Sequence, residues 1–412
     1  MIYLLIFIYL LFLSIHFDIL EQKKNKESHW TIAVALLIFL TGFRWRVGTD
    51  TVVYVWEFYN VFPDLLHLQA SSFSSIGRMP LWVLTNVICK TIWNDFLLLQ
   101  FVVAFVSISI NAYFIKKTCP SLRFFVLFCY FIGTYVFLHM DTLRESLAMS
   151  MFLLAILAFN NNKRKLTVWY AFLALMFHIY AFIPILLFVL FYFLMPSNKW
   201  VHFIFLLLIF CVTIVSPGFL TTQIESYAFL LDNFDPSLSS SVVDYATSDR
   251  YGQSSKSLLQ YFSVILQCTA YVFMYYKYKR CYKSYILLKP QIFESGILIF
   301  ITIFLCKFSF SVLYRFNGSY FYFWGCYLAV VFTKLLLQRI VNRQRLVAYL
   351  CLLVVPILLA LNTYYAAIPD YGGIRRYSRY YPYSSVFYKS LNPAREKIFQ
   401  IRGFGFTEES DY

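Results

Sequence analysis

Long apolar runs separated by short polar segments occupy most of the chain. The runs are continuous rather than alternating, the pattern of membrane helices and not of a membrane β-barrel. Met1–Leu20 is apolar and ends in the charged segment Glu21–His29. It lacks a basic start and a small-residue cleavage site, so it reads as a mature helix rather than a signal peptide. Trp30–Phe43 leads into a polar string that begins at Arg44. Residues 44–94 read as an interfacial or re-entrant segment: Asp50–Gly77 is amphipathic, and Met79–Trp93 is a short apolar piece. Predicted spans follow at Phe96–Ile115, Phe124–Leu138, Leu143–Phe159 and Leu166–Met195, the last interrupted by His178 and Pro184. Further spans are expected at Trp200–Val215, Leu258–Tyr276, Ile292–Leu313, Tyr320–Leu337 and Leu346–Leu361. A polar loop occupies 217–257, and an Arg- and Tyr-rich tail runs over 362–412. The expected fold is all-α, a single integral membrane domain over 1–412 with about 11–13 membrane helices.

Composition and charge sharpen this picture. Hydrophobic residues make up 60% of the chain and charged residues 13%, with a mean hydropathy of +0.66. The 412 residues are therefore not read as two or three soluble domains. The net charge of +15 is assigned to cytoplasmic loops rather than to nucleic acid, because no groove-reading or RNA-stacking module is present. The nine cysteines form no close pair of metal-ligand type and read as small buried hydrophobes. No metal and no cofactor is expected.

The positive-inside rule gives a topology. Lys23–Lys26, Lys116–Lys117, Lys163–Lys165, Lys277–Lys283 and Arg339–Arg345 share the cytoplasmic side under two conditions. Met79–Trp93 must not cross fully, and Leu166–Met195 must turn back near His178. Arg44–Asp50, Asp141–Glu145, His178, the Arg315 segment, the 217–257 loop and the tail then share the outer face. A charge at the bilayer centre costs roughly 2.5–3.5 kcal/mol, so these side chains need a partner, a cavity or the interface.

Four strings carry candidate chemistry. Phe43-Arg44-Trp45-Arg46-Val47-Gly48-Thr49-Asp50 sets two arginines before a Gly-Thr-Asp turn. Guanidinium groups grip phosphate through paired donors, Gly48 allows an unusual dihedral, and Asp50 can cap the next helix. An interfacial arginine pair with an ordinary cap is the bland alternative. In Asp141-Thr142-Leu143-Arg144-Glu145, Thr142 and Glu145 have capping-box spacing, and Asp141 and Glu145 suit the helix dipole. Arg144 is disfavoured at a helix start and needs an anion, from Glu145, Asp50 or a ligand phosphate. His178 in Phe177-His178-Ile179-Tyr180 is either structural or a proton acceptor or sugar contact. Tyr314-Arg315-Phe316-Asn317-Gly318-Ser319-Tyr320 reads as a polar break between spans, either a plain loop or a phosphate clamp. In the tail, Arg375-Arg376-Tyr377-Ser378-Arg379 mixes cations with aromatics, which suits lipid headgroups or a glycan.

Together these strings resemble the EpsG family, which contains Wzy-like exopolysaccharide and O-antigen polymerases. The resemblance rests on Arg44-x-x-Val47-Gly48-Thr49-Asp50-x-x-x-Tyr54, Arg144-Glu145-x-x-Ala148, Phe177-His178, and Arg315 with Tyr320, in that order. Glu145 departs from the family pattern, which has Gln there. The resemblance implies a GT-C-like glycosyltransferase in the bacterial inner (cytoplasmic) membrane. Its substrates would be polyprenyl-diphosphate-linked oligosaccharides, with a chain-length regulator and a flippase as possible partners. Arg44, Arg46, Arg144 and Arg315 would hold the diphosphate. Asp50, His178 and Glu145 are the candidate bases, and Tyr54, Tyr320, Arg376 and Tyr377 the candidate glycan contacts. Two other readings are a lipid-linked oligosaccharide flippase, disfavoured by the lack of repeated halves, and a membrane acyltransferase, which would favour a cytoplasm-accessible histidine.

Overall fold

A computed structural model describes residues 2–195, 198–215, 281–306, 313–337 and 376–404, with Thr269, Val272 and Tyr275 as isolated positions. The expected 217–257 loop, the Leu346–Leu361 span, the start of the tail and nearly all of the Leu258–Tyr276 span lie outside the described residues. What is described is all-helical, and its one β-type pairing is the isolated bridge between Arg44 and Ser385. The chain divides into two compact units, residues 1–185 with 285–288 and 362–412, and residues 186–284 with 289–361.

In the first unit, α1 (Ile2–Ile19) finishes in π-helical turns and α2 is Lys26–Gly42. The amphipathic stretch becomes α3 (Thr51–Asn60) and the short α4 (Ala70–Ser75), and α5 covers Pro80–Ile92. α6 (Phe96–Thr118) is followed by α7 (Arg123–Tyr130), which runs on in π-helical turns to Asp141. α8 (Leu143–Asn160) packs along α9 (Arg164–Phe177), with Ala148 and Ala174 at the contact. Small residues permit that close approach without help from the hydrophobic effect, which is weak between helices in lipid. α2 meets α6 through Gly42, where a Cβ would stand 2.8 Å from the Phe101 ring. Helices Ile2–Ile19, Phe96–Thr118 and Leu143–Asn160 are long and apolar enough to cross a membrane, and several shorter apolar helices accompany them.

Polar side chains also bind helices together. Lys90 on α5 donates to the carbonyls of Phe58, Tyr59 and Phe62, closing the C-terminal end of α3. The predicted break at His178 is present: α9 stops at Phe177, His178 is extended, and α10 (Phe182–Leu194) follows a short 3-10 turn.

The second unit contains α11 (Lys199–Val215), α12 (Pro290–Cys306) and α13 (Tyr314–Leu337). The polar break expected at Tyr314–Tyr320 is instead the opening of α13. Asn317 and Ser319 are buried, so these polar residues face protein and need not interrupt the helix. Phe300 and Trp324 stack at 5.4 Å between α12 and α13, and Tyr282 donates to Glu294 at 2.6 Å. Cys89, Cys119, Cys129 and Cys326 are buried as expected, whereas Cys211 is exposed on α11.

Candidate functional site

The string after α2 folds into a tight turn because Gly48 takes φ +103° and Arg46 takes φ +54°. A Cβ on Gly48 would collide with the Met140 carbonyl, so no other residue fits without displacement. Arg44 sits inside the turn, 1% exposed. Its Nε donates to Val47 O at 3.1 Å, Nη1 to Thr41 O at 2.7 Å and Nη2 to Met140 O at 3.1 Å. The phosphate contact expected of Arg44 does not match this geometry, because each of its three nitrogens already serves a carbonyl. Burial lowers its pKa to about 10, opposed by Asp141, and it stays charged at neutral pH.

The tail docks on this turn. Trp45 N donates to Ser384 O at 2.8 Å, Val386 N to Phe43 O at 3.0 Å, and Gly48 N to Arg379 O at 2.9 Å. Arg395, 1% exposed, donates to the carbonyls of Arg46, Ser378 and Arg379 at 2.6–2.7 Å. Asp141, at the end of the π-helical turns after α7, joins three segments: it accepts from Thr49 N at 2.5 Å and from the Tyr380 hydroxyl of the tail. Burial raises its pKa to about 6, the charge of Asp50 adds to that rise, and its two hydrogen bonds oppose it.

Arg46 points elsewhere, paired with Glu396 at 3.0 Å and lying 4.5 Å from the Phe399 ring centroid on α14 (Pro393–Phe404). Asp50 occupies the N-cap position of α3, but its backbone is helical and its side chain makes no capping bond. The expected Thr142–Glu145 capping box is likewise absent. α7 runs directly into Thr142, whose hydroxyl turns back to Leu138 O at 3.2 Å.

Around the start of α8 a second arginine behaves differently. The Arg144 guanidinium lies 5.6 Å from the Tyr54 ring centroid and is within electrostatic reach of Tyr54, Glu57 and Asp50. Its Nε is buried without a hydrogen-bond partner, as are Glu57 Oε2 and Trp82 Nε1. Glu57 is 4% exposed, and its other oxygen accepts from Arg78. Tyr54 meets Trp82 edge-on at 5.5 Å and is buried, so the expected open stacking face for a sugar is occupied.

His178 comes into the same neighbourhood through Phe177, which packs on the cluster holding Tyr54, Trp82, Leu143 and Leu147. Its Nδ1 accepts from Tyr180 N at 3.1 Å. That assigns the neutral ring's proton to Nε2, which can then donate a hydrogen bond but not take a proton. The neutral ring in this arrangement is a hydrogen-bond donor rather than a base.

Three predicted strings therefore meet in the first unit. Arg315 and Tyr320 belong to α13 of the second unit, where Tyr320 is buried. Arg376 begins a short 3-10 turn, and Tyr377 is 43% exposed beside Tyr381. Sequence reasoning missed Glu57, Arg78 and Arg395. Nothing local marks them, because their partners lie 16 to 349 residues away. Among the described residues no group of three or more His, Cys, Asp or Glu side chains is placed to hold a metal ion.

The EpsG family model matches residues 27–385. The chain belongs to the EpsG family. No curated protein and no solved structure matches it. EpsG membership makes this a membrane protein of a polysaccharide polymerase family, with the glycosyltransferase activity that such a role implies.

Proposed function

We propose that this EpsG protein is a GT-C-like, metal-independent polymerase. It joins polyprenyl-diphosphate-linked repeat units at the outer face of the bacterial inner membrane. The observation that carries the reading is Arg144. It is a half-buried side chain whose buried Nε has no hydrogen-bond partner, beside Tyr54, Asp50 and Glu57, at the meeting point of three family strings. A buried donor without a partner is costly, and a ligand oxygen would relieve it.

In the reaction, the anomeric carbon of the growing glycan loses its bond to the diphosphate oxygen and gains one to the acceptor hydroxyl. Negative charge moves onto the departing diphosphate, where Arg144 stabilises it. The acceptor proton passes to a carboxylate, Asp50 first and Glu145 second. His178 Nε2–H donates to a substrate oxygen. Arg44 acts indirectly, by holding the turn that presents Asp50. An apolar groove of about 450 Å3, lined by Ile2, Leu5, Phe39, Leu40, Phe43 and Phe387, suits the hydrocarbon chain of the carrier.

The test is a strain lacking the native gene and carrying Arg144→Ala. The protein inserts at wild-type level, long polymer disappears, and lipid-linked single repeat units accumulate. Long polymer of normal length overturns the assignment.

A further inference from the structure

A cavity of about 230 Å3 opens beside the turn, lined by Trp45, Arg46, Tyr59, Trp93, Asp95 and Lys389 among others. All six belong to the first unit. The reaction proposed above uses none of them. Trp93 and Tyr59 are 52% and 46% exposed and offer large aromatic faces. Tyr59 is fixed by accepting from Phe96 N at 3.2 Å. Lys389 Nζ stands 4.8 Å and the Arg46 guanidinium 4.7 Å from the Trp45 ring centroid, so two cations crowd one aromatic ring.

The charge balance of the lining is uneven. Asp95 is its one acid, and its carboxylate is turned onto the backbone, accepting from Leu97 N at 2.8 Å as the cap of α6. Arg46 is neutralised in part by Glu396. Lys389 is exposed and forms no ion pair among the described residues. A pocket that joins flat aromatic faces to an uncompensated cation favours a ring-shaped polyol carrying an anion.

We propose that this cavity is a subsite for an acidic sugar of the glycan, its ring lying on Trp93 or Tyr59 and its carboxylate facing Lys389 and Arg46. The choice of a saccharide rests on the polymerase reading; the preference for a charged one rests on the lining alone.

The experiment uses the full chain in phosphatidylcholine nanodiscs, titrated calorimetrically with tetragalacturonate and with neutral maltotetraose. Tetragalacturonate binds about tenfold more tightly or better. Lys389→Gln removes that preference without changing the melting temperature, since the side chain is exposed, and Trp93→Ala weakens both sugars. Equal binding of the two sugars, or an unchanged preference in Lys389→Gln, overturns the subsite. Loss of tetragalacturonate binding when phosphatidylglycerol is added assigns the cations to a lipid headgroup and overturns it as well. Polymer formation in cells is scored separately. A polymerising protein that treats both sugars alike refutes only the subsite, and one that selects the acidic sugar but makes no polymer refutes only the polymerase.

Discussion

The turn at 43–50 holds a buried arginine, the corner built by α3, α5 and α8 holds a half-buried one whose Nε is buried, and the two are used in opposite ways. Arg44 gives its guanidinium to three carbonyls from two segments of chain. Arg395 does the same for three more, and these side-chain bonds add to the main-chain hydrogen bonds that hold the tail on the turn. Arg144 keeps an orphaned Nε beside Glu57, which keeps an orphaned oxygen. Arg44 is architecture, because its side chain is buried and each of its three nitrogens is committed to a carbonyl. An under-satisfied arginine is a site, because its burial is compensated only when something binds.

The largest effect that can break this comparison is at Arg44. Arg44→Ala removes the partner of the Thr41 carbonyl, leaves the Val47 and Met140 carbonyls to share the single Thr51 hydroxyl and opens a hole, at a cost on the order of 3–5 kcal/mol. The protein is expected to fall sharply in membrane yield and in melting temperature. An Arg44→Ala protein that melts like the wild type yet makes no polymer would exchange the roles of the two arginines.

Arg144→Lys is next. Lysine keeps the charge but loses the planar fork, and it cannot reproduce the placement over Tyr54. The polymerisation rate in membranes supplied with lipid-linked repeat units falls roughly 10²–10³-fold, as when a transition-state donor is removed. The melting temperature stays close to that of the wild type. A large loss of stability with little loss of rate would make Arg144 architectural too.

Asp141 ties the two regions and gives the comparison a pH dependence. Its folded-state pKa of about 6 lies above the ordinary 3.8, with burial as the main cause. The folded state thus binds more protons than the unfolded one between those values. This group's contribution is most favourable below about pH 4 and is lost as pH rises through 6, by on the order of 2–3 kcal/mol. Asp141→Asn removes the titration while keeping an oxygen for Thr49 N–H. The wild-type melting temperature is expected to drop between pH 4.5 and 7.5 by more than that of Asp141→Asn. Parallel curves would place the ionisation elsewhere.

Much of the helical framework was legible because lipid demands long apolar runs, and those runs are local in sequence. Leu143–Phe159 and Phe96–Ile115 fall within a few residues of α8 and α6. The interruption at His178 was legible for the same reason. The site was only half legible. Arginines in a Gly-Thr-Asp turn announce a special backbone, but whether a guanidinium meets a ligand or a carbonyl depends on residues far along the chain. Arg44 is closed off by Met140, 96 positions later, and the turn is covered by a tail more than 300 positions later. Tyr54 reads as an interfacial ring in its own segment, and only the fold brings Trp82 and Arg144 onto it.

The smallest expected effect separates the strength of the tail clamp from its geometry. Tyr383 donates to Leu40 O at 2.9 Å and meets Tyr3 edge-on at 5.7 Å. Tyr383→Phe keeps the ring contact and deletes one hydrogen bond to a carbonyl in the last turn of α2. A single neutral bond of this kind is worth about 1 kcal/mol. The melting temperature should fall by a few degrees, and polymer length should be unchanged, because Arg395 and the main-chain bonds of 384–386 still hold the tail on the turn. Shortened polymer with an unchanged melting temperature would mean that the tail takes part in chain growth rather than only covering the turn.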